Sequence, residues 1–221
     1  VRMYVAAIKF LYATTLGRPG VVAGIPWPKV PRTLPDILSA REVIELLTAM
    51  ARPKHRAMAL TAYGAGLRVS EVCSLKAVDV DSCRMLLHVR RGKRSKDRYV
   101  MLSENLLEGL REYWRRTRPS GEYLFPGAHP GSHISASAFQ QMMRKAVRRC
   151  DFGKRVTPHS LRHAFATHLL ENGEDIRTIQ VLLGHSSVQS TAVYTKVSIH
   201  HIGRTRSPLD VIGRQAAAGT R

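Results

Sequence analysis

Five prolines fall between Gly17 and Pro35, at Pro19, Pro26, Pro28, Pro31 and Pro35. Each removes a backbone donor and pins φ, so the stretch suits neither a helix interior nor a sheet and reads as a stiff extended connector. It divides the 221 residues into a short leading part and a long main part. The leading part is one helix, Tyr4 to Leu16, with Val5, Ile8, Leu11 and Tyr12 on one side. One helix cannot bury such a face alone. Residues 1–16 are therefore expected to be the last helix of a mostly missing domain, 17–37 a linker, 38–206 the main domain and 207–221 a tail.

The main domain reads as mainly α with a small antiparallel β-sheet (α+β). Ser39-Ala40-Arg41-Glu42 is a capping box, and Val43, Ile44, Leu46, Leu47 and Met50 follow at helical spacing until Pro53. Further helices are expected from His55 to Tyr63, ending at Gly64 and Gly66, and from Ser70 to Leu75. The period then changes. Met85 to Val89 and Tyr99 to Leu102 are β-compatible runs on either side of a cationic turn, Arg90 to Arg98, which predicts a hairpin. Ser103 caps a helix carrying Leu106, Leu107, Leu110, Tyr113 and Trp114. Ser137-Ala138-Phe139-Gln140 reads as another capping box, ahead of Met142, Met143, Ala146, Val147 and Cys150; that methionine stripe is read as core packing. Thr157-Pro158 opens a helix that Gly173 closes, and Asp175 to Leu183 is one more, closed by Gly184.

The charge balance narrows the partners. Lys and Arg number 35 against 16 Asp and Glu, a formal net charge of +19 with a pI near 10.8. Such an excess repels itself in a compact state and points to a polyanion. No run of 18 apolar residues is present, which argues against a membrane span. Cys73, Cys83 and Cys150 are odd in number and scattered, supporting neither a disulfide framework nor a zinc ribbon, and Cys73 and Cys150 read as small core hydrophobes. The N-terminal stretch lacks a signal-peptide pattern, so a cytoplasmic, nucleoid-associated location is expected.

Within this basic chain one ordered set of residues carries chemistry: Arg68, Lys93, His159, Arg162, His185 and Tyr194. Two guanidiniums can hold the non-bridging oxygens of a phosphodiester, a phenol can attack phosphorus, and a Lys or His can protonate the leaving oxygen. Singly, each residue has a plainer reading. Arg68 with Glu71 makes an ordinary helix-end ion pair. Lys93 sits in a run of Arg90, Arg91, Arg94, Lys96 and Arg98 that could be a solvated loop. His159 and Arg162 share a helix face at an N-terminus suited to phosphate, yet could equally be a satisfied histidine and a surface arginine. Tyr194 could be a core tyrosine. His159, His163 and His168 lack the glutamate a zincin would require, and metal ranks low.

Taken together, the order and spacing resemble the catalytic domain of tyrosine recombinases, the phage-integrase and Xer-type family. The stretches that carry the resemblance are Ala62 to Glu71, Gly92 to Arg98, Thr157 to His168, and Leu182 to His185 through Tyr194-Thr195. It covers roughly Leu38 to Pro208. It implies the tyrosine recombinase catalytic-domain fold and a site-specific recombinase or integrase that cleaves and rejoins double-stranded DNA through a covalent 3′-phosphotyrosyl intermediate. Tyr194 would be the nucleophile, Arg68 and Arg162 the phosphate clamp, and Lys93 the proton donor to the leaving 5′ oxygen. His159 would assist proton transfer and His185 would hydrogen-bond the phosphate. No metal or nucleotide cofactor is implied. The family also implies a homo-oligomer, a tetramer on DNA, with a C-terminal tail that docks on a neighbour or on its own domain. Arg94 stands where such enzymes often have glycine. Alternative readings are a truncated, non-catalytic DNA-binding relic or regulator, and a swivelling topoisomerase of related chemistry.

Overall fold

The computed structural model describes residues 1–28, 36–90 and 97–184, which fall into two compact units, Val1–Leu34 and Pro35–Arg221. Lys93, His185, Tyr194 and the tail 207–221 lie outside the described residues. In the first unit, helix α1 (Arg2–Phe10) runs on into a π-helical stretch, Leu11–Thr15. A short α2 (Gly20–Ala23) follows, so the proline-bearing segment is not extended throughout. Pro19 sits just ahead of α2 with φ −63° and ψ −27°. Its fixed φ is already that of a helix start, where a missing N–H costs nothing.

The second unit begins where Ser39 and Glu42 cap each other: the Ser39 amide donates to the Glu42 carboxylate at 2.7 Å and the Glu42 amide to Ser39 Oγ at 3.3 Å. That box opens α3 (Ala40–Thr48). Pro53 stops α3's continuation and serves as the first residue of α4 (Pro53–Gly64). α5 (Val69–Ser74) is a short turn of helix. Three antiparallel strands follow in order, β1 (Val80–Asp81), β2 (Leu86–Val89) and β3 (Arg98–Met101). The expected hairpin is β2–β3, with Leu87 opposite Val100 and Val89 opposite Arg98; β1 was not legible because two residues carry no period.

Four more helices complete the unit: α6 (Glu104–Thr117), α7 (Ala136–Val147), α8 (Pro158–Glu171) and α9 (Ile176–Leu183). The cap of α7 differs from expectation. Ser135, not Ser137, accepts from the Ala138 amide at 3.1 Å, and Ser137 instead hydrogen-bonds Ser135 Oγ from within the first turn. Two serines two residues apart compete for the same role, and the earlier one, with extended backbone, can point its oxygen at the free amides.

The core explains the helix order. Leu46, Met58, Leu67, Leu87, Leu106, Phe125, Phe139, Met143 and Leu161 are fully buried in one cluster, and Tyr113 reaches out of it only to donate to the Leu124 carbonyl at 3.0 Å. α8 is covered on almost every side, with Leu161, Ala164, Phe165, Ala166, Thr167 and Leu170 all buried, so it is a central helix. Its lower half joins Ile179 and Leu183 of α9 in a second cluster. Cys73 is buried, and its thiol is pushed up to about 11 by burial, in keeping with a small apolar filler. Among the described residues no helix is long and apolar enough to cross a membrane.

Gly66 holds α4, α5 and α8 together. It takes φ +62°, and a Cβ built there would lie 2.3 Å from Phe165 Cδ1. Both the left-handed backbone and the aromatic ring of α8 forbid a side chain. Gly66→Ala is expected to destabilise by at least about 2 kcal/mol, from αL strain and overpacking combined, read as a lower melting temperature than wild type.

Candidate active site

The site is built around a buried carboxylate. Glu71, at the third position of α5, has a side chain only 7% exposed. Its Oε2 accepts from the Arg68 amide at 2.8 Å, which caps the helix, and its Oε1 accepts from Arg68 Nη1 at 2.9 Å. Arg98 reaches across from β3 and binds both oxygens in a fork, Nη1 to Oε1 at 2.8 Å and Nη2 to Oε2 at 2.9 Å. Arg162 Nη1, from α8, lies 3.8 Å from Oε2. Burial raises the Glu71 pKa, but the Arg98 hydrogen bonds, the Arg68 amide and the two positive charges outweigh it and bring the carboxyl down to about 2.

The same three arginines also terminate α9. Arg98 Nε donates to the Leu182 carbonyl at 2.9 Å, Arg162 Nη2 to Leu183 at 2.6 Å, and Arg68 Nη2 to Gly184 at 3.1 Å. The last carbonyls of a helix have no partners within it and carry its negative end. Here three successive ones are met by three guanidiniums from three different elements. Gly184 itself takes φ +60°, and a Cβ there would meet Arg98 Cδ at 3.1 Å. Arg162 adds a bond from Nη1 to the Gly66 carbonyl at 2.7 Å, so the glycine required by the fold also orients an arginine of the site.

Two of the six expected residues, Arg68 and Arg162, are thus brought together, and the chain leaves this cluster at Gly184, one residue before His185. Arg68 is the more open of the two, 34% exposed against 5% for Arg162. His159 occupies the first turn of α8 and is exposed, whereas Arg162, three residues on, is buried, so the pair expected on one face differs sharply in environment. His163 is held below its usual pKa first by burial and then by the charges of His159 and Arg162. His168 is elsewhere, with Nδ1 2.9 Å from the Tyr63 hydroxyl.

Arg98 is the residue that the sequence reading passed over. It closes the cationic run Arg90 to Arg98, but it stands in β3 opposite Val89, and Arg98, Val100 and Leu102 alternate inward while Tyr99 is exposed. A strict period of two starting from Val100 would have placed its side chain in the interior.

A second basic feature lies between α4 and α7. A cleft of about 890 Å³ is lined by Arg52, Lys54, His55, His133, Lys145 and Arg149 among others, with no carboxylate among its described lining residues. Lys54 Nζ donates to the Pro126 carbonyl at its edge. His55 has its pKa lowered by burial and then by Arg52, Lys54 and Lys145, the mark of a locally positive potential.

Residues 36–201 match the model of the phage integrase family. The chain belongs to that family. It is 48% identical over 217 residues to a putative integrase/recombinase of Sinorhizobium fredii, covering 98% of this chain and 70% of that relative. It is 43% identical to the tyrosine recombinase XerA of Thermococcus onnurineus over 84% of this chain and 66% of that one. A crystal structure of XerA recombinase superposes with a TM-score of 0.70 at 34% identity, covering 92% of this chain and 75% of that one. The helix-rich fold with its three-stranded sheet is therefore that of the tyrosine recombinase catalytic domain, and a lambda integrase dimer bound to a core site has the same fold, at a TM-score of 0.71 and 19% identity.

Glu71 makes the integrase-family site acid-sensitive. Its folded pKa of about 2 lies below the ordinary 4.5, so the folded state binds fewer protons. The stabilisation is complete above about pH 4.5 and is lost as pH falls toward 2, on the order of 3 kcal/mol in all. Denaturant titrations at pH 6 and pH 3 should show a smaller loss of stability in Glu71→Gln than in wild type.

Proposed function

We propose that this chain is a site-specific DNA recombinase or integrase that cuts and rejoins duplex DNA through a 3′-phosphotyrosyl intermediate. The observation that carries the reading is the convergence of Arg68 and Arg162 on one carboxylate and on the consecutive carbonyls of Leu183 and Gly184. Membership of the phage integrase family supports the same reaction. A relic without activity finds no support in the comparisons.

The chemistry follows from charge. Attack on a phosphodiester places added negative charge on the non-bridging oxygens, and Arg68, with two of its five N–H donors on Glu71 and Gly184, is the exposed guanidinium that meets them. Arg162, buried beside Glu71, adds its positive charge from α8. Tyr194 passes its phenolic proton to His159 and attacks phosphorus, its O–P bond replacing the bond to the 5′ oxygen. The leaving oxygen takes a proton from Lys93, and His185 hydrogen-bonds the phosphate. Religation reverses the step: a 5′ hydroxyl attacks the phosphotyrosine and the phenol leaves. No external energy source is needed, because one ester is exchanged for another.

Duplex DNA is the partner that suits the charge of the chain, and the basic cleft is a second place for its backbone. α4 links the two regions, with Lys54 and His55 in its first turn at the cleft and Gly64 at its end, just ahead of Arg68. Twelve residues of helix span about 18 Å, roughly five base-pair steps. A homo-tetramer on DNA, in the cytoplasm and associated with the nucleoid, is the assembly this reaction calls for, since two duplexes must be cut and exchanged. The tail 207–221 would dock on a neighbouring protomer or on its own domain.

Tyr194→Phe is expected to bind DNA as wild type does but to leave no covalent adduct on a denaturing gel with a nicked suicide duplex; a retained adduct would refute the nucleophile. Arg68→Ala should lower the adduct-forming rate by about 10² to 10³, the scale on which a lost oxyanion donor acts. DNA affinity should fall steeply with salt, with a log–log slope of roughly −5 to −7 if six to eight phosphates are contacted, and Lys145→Ala should flatten that slope by about 1 without changing sequence preference.

A further inference from the structure

We propose that Arg98 is a positioning residue of the strand-transfer site: it neutralises Glu71, so that the positive charge of Arg68 and Arg162 remains for the DNA phosphate. The inference rests on the recombinase reading above and concerns a residue outside the set that reading assigns.

Each of the three nitrogens of Arg98 is engaged: Nη1 and Nη2 on the two oxygens of Glu71, and Nε on the Leu182 carbonyl. Its side chain is 10% exposed. Arg98 is therefore not a phosphate ligand itself and acts through what it holds. Glu71, in turn, touches both arginines of the proposed phosphate clamp, Arg68 at 2.9 Å and Arg162 at 3.8 Å. A buried carboxylate next to a phosphate site opposes the anion that the site must bind, and in a poorly solvated interior the opposition is felt strongly.

Local charge shows what Arg98 changes. Arg68, Arg98 and Arg162 against Glu71 leave two positive charges at a site that receives a phosphodiester and then a more negative transition state. Removing Arg98 leaves one. The carboxylate would then lean entirely on Arg68 and Arg162, drawing the charge and the N–H groups of the clamp inward. The arrangement separates two duties that a single ion pair could not meet together. Glu71 caps α5 and orients Arg68, while Arg98 cancels the charge that this orientation introduces.

The fork also accounts for the choice of arginine. A lysine at position 98 would keep the charge but could not span both carboxylate oxygens and the Leu182 carbonyl with fixed planar geometry. Packing reinforces this, since the Arg98 side chain runs against Gly184, where any Cβ would be tight against Cδ and Nε.

The test is single-turnover adduct formation on a nicked suicide duplex, measured at saturating DNA and across DNA concentration, with melting temperatures alongside. Arg98→Met should lower the saturating rate about 10- to 100-fold, the range typical for removing a group behind a ligand. The concentration for half-saturation should move within about threefold, because a buried cation is not one of the phosphate contacts that set affinity. Arg98→Met combined with Glu71→Gln should regain about tenfold of that rate, since the uncompensated charge is gone. An Arg98→Met rate equal to wild type, or a double variant as slow as the single one, overturns the proposal. Should Arg98→Met not fold, Arg98→Lys decides: a rate within about tenfold of wild type supports charge balance, and a folded Lys variant without adduct overturns it. A wild-type chain that forms no adduct removes the recombinase reading and this one with it, whereas a reactive wild type with indifferent Arg98 variants removes this one alone.

Discussion

A single carboxylate, buried and surrounded by guanidiniums, is the constraint on which the rest of the site depends. Glu71 without its partners would be a charge in a nearly dry interior, and Arg68, Arg98 and Arg162 without Glu71 would be three like charges drawn together from α5's start, β3 and α8. Neither half is stable alone. Together they fix the relative positions of a helix start, a strand and a central helix, which no apolar contact would do with the same directional precision. The cluster thus links folding to chemistry: the arginines that suit a phosphate are held in place by the group that keeps the fold from rejecting them.

Around that cluster the positive charge of the chain is distributed rather than concentrated. The cleft at the N-terminal end of α4 collects Arg52, Lys54, Lys145 and Arg149, and the site lies beyond the C-terminal end of the same helix. α4 is anchored by five buried residues, Ala57, Met58, Ala59, Thr61 and Ala62, so it behaves as a rigid spacer between two basic regions. Small residues along it let neighbouring helices approach closely. A ligand that touches both regions must itself be long, regularly charged and stiff, which is the description of a duplex.

Much of this was legible in the sequence, for reasons that are local. Ser39 with Glu42, Thr157 with Pro158, Asp175 and Gly184 are cap signals that act within one turn, and each marks an observed helix end. Arg68 and Arg162 stood out because motif spacing encodes their places. What escaped is tertiary. That α8 is central rather than half-exposed depends on what packs against it, and its apolar residues show no one-sided stripe to read. Arg98 was lost in a cationic run because charge suggests solvent, and only the register of β3 against β2 turns it inward. The helical turn at Gly20–Ala23 was missed because proline density was read as extension, although proline also starts helices. Ser135 and Ser137 differ only in backbone angle, which composition does not carry. His159 and Arg162, three residues apart, share a helical face but not a depth, and depth is decided by neighbours distant in sequence.

The three carbonyls at the end of α9 carry a consequence of their own. Leu182, Leu183 and Gly184 are held by the guanidiniums of Arg98, Arg162 and Arg68 in turn, and only the last of these is open to solvent, so the Gly184 carbonyl shares its guanidinium with whatever anion meets Arg68. By thermodynamic reciprocity, the hold of Arg68 on that carbonyl and its hold on an anion are coupled by one factor, which acts in both directions.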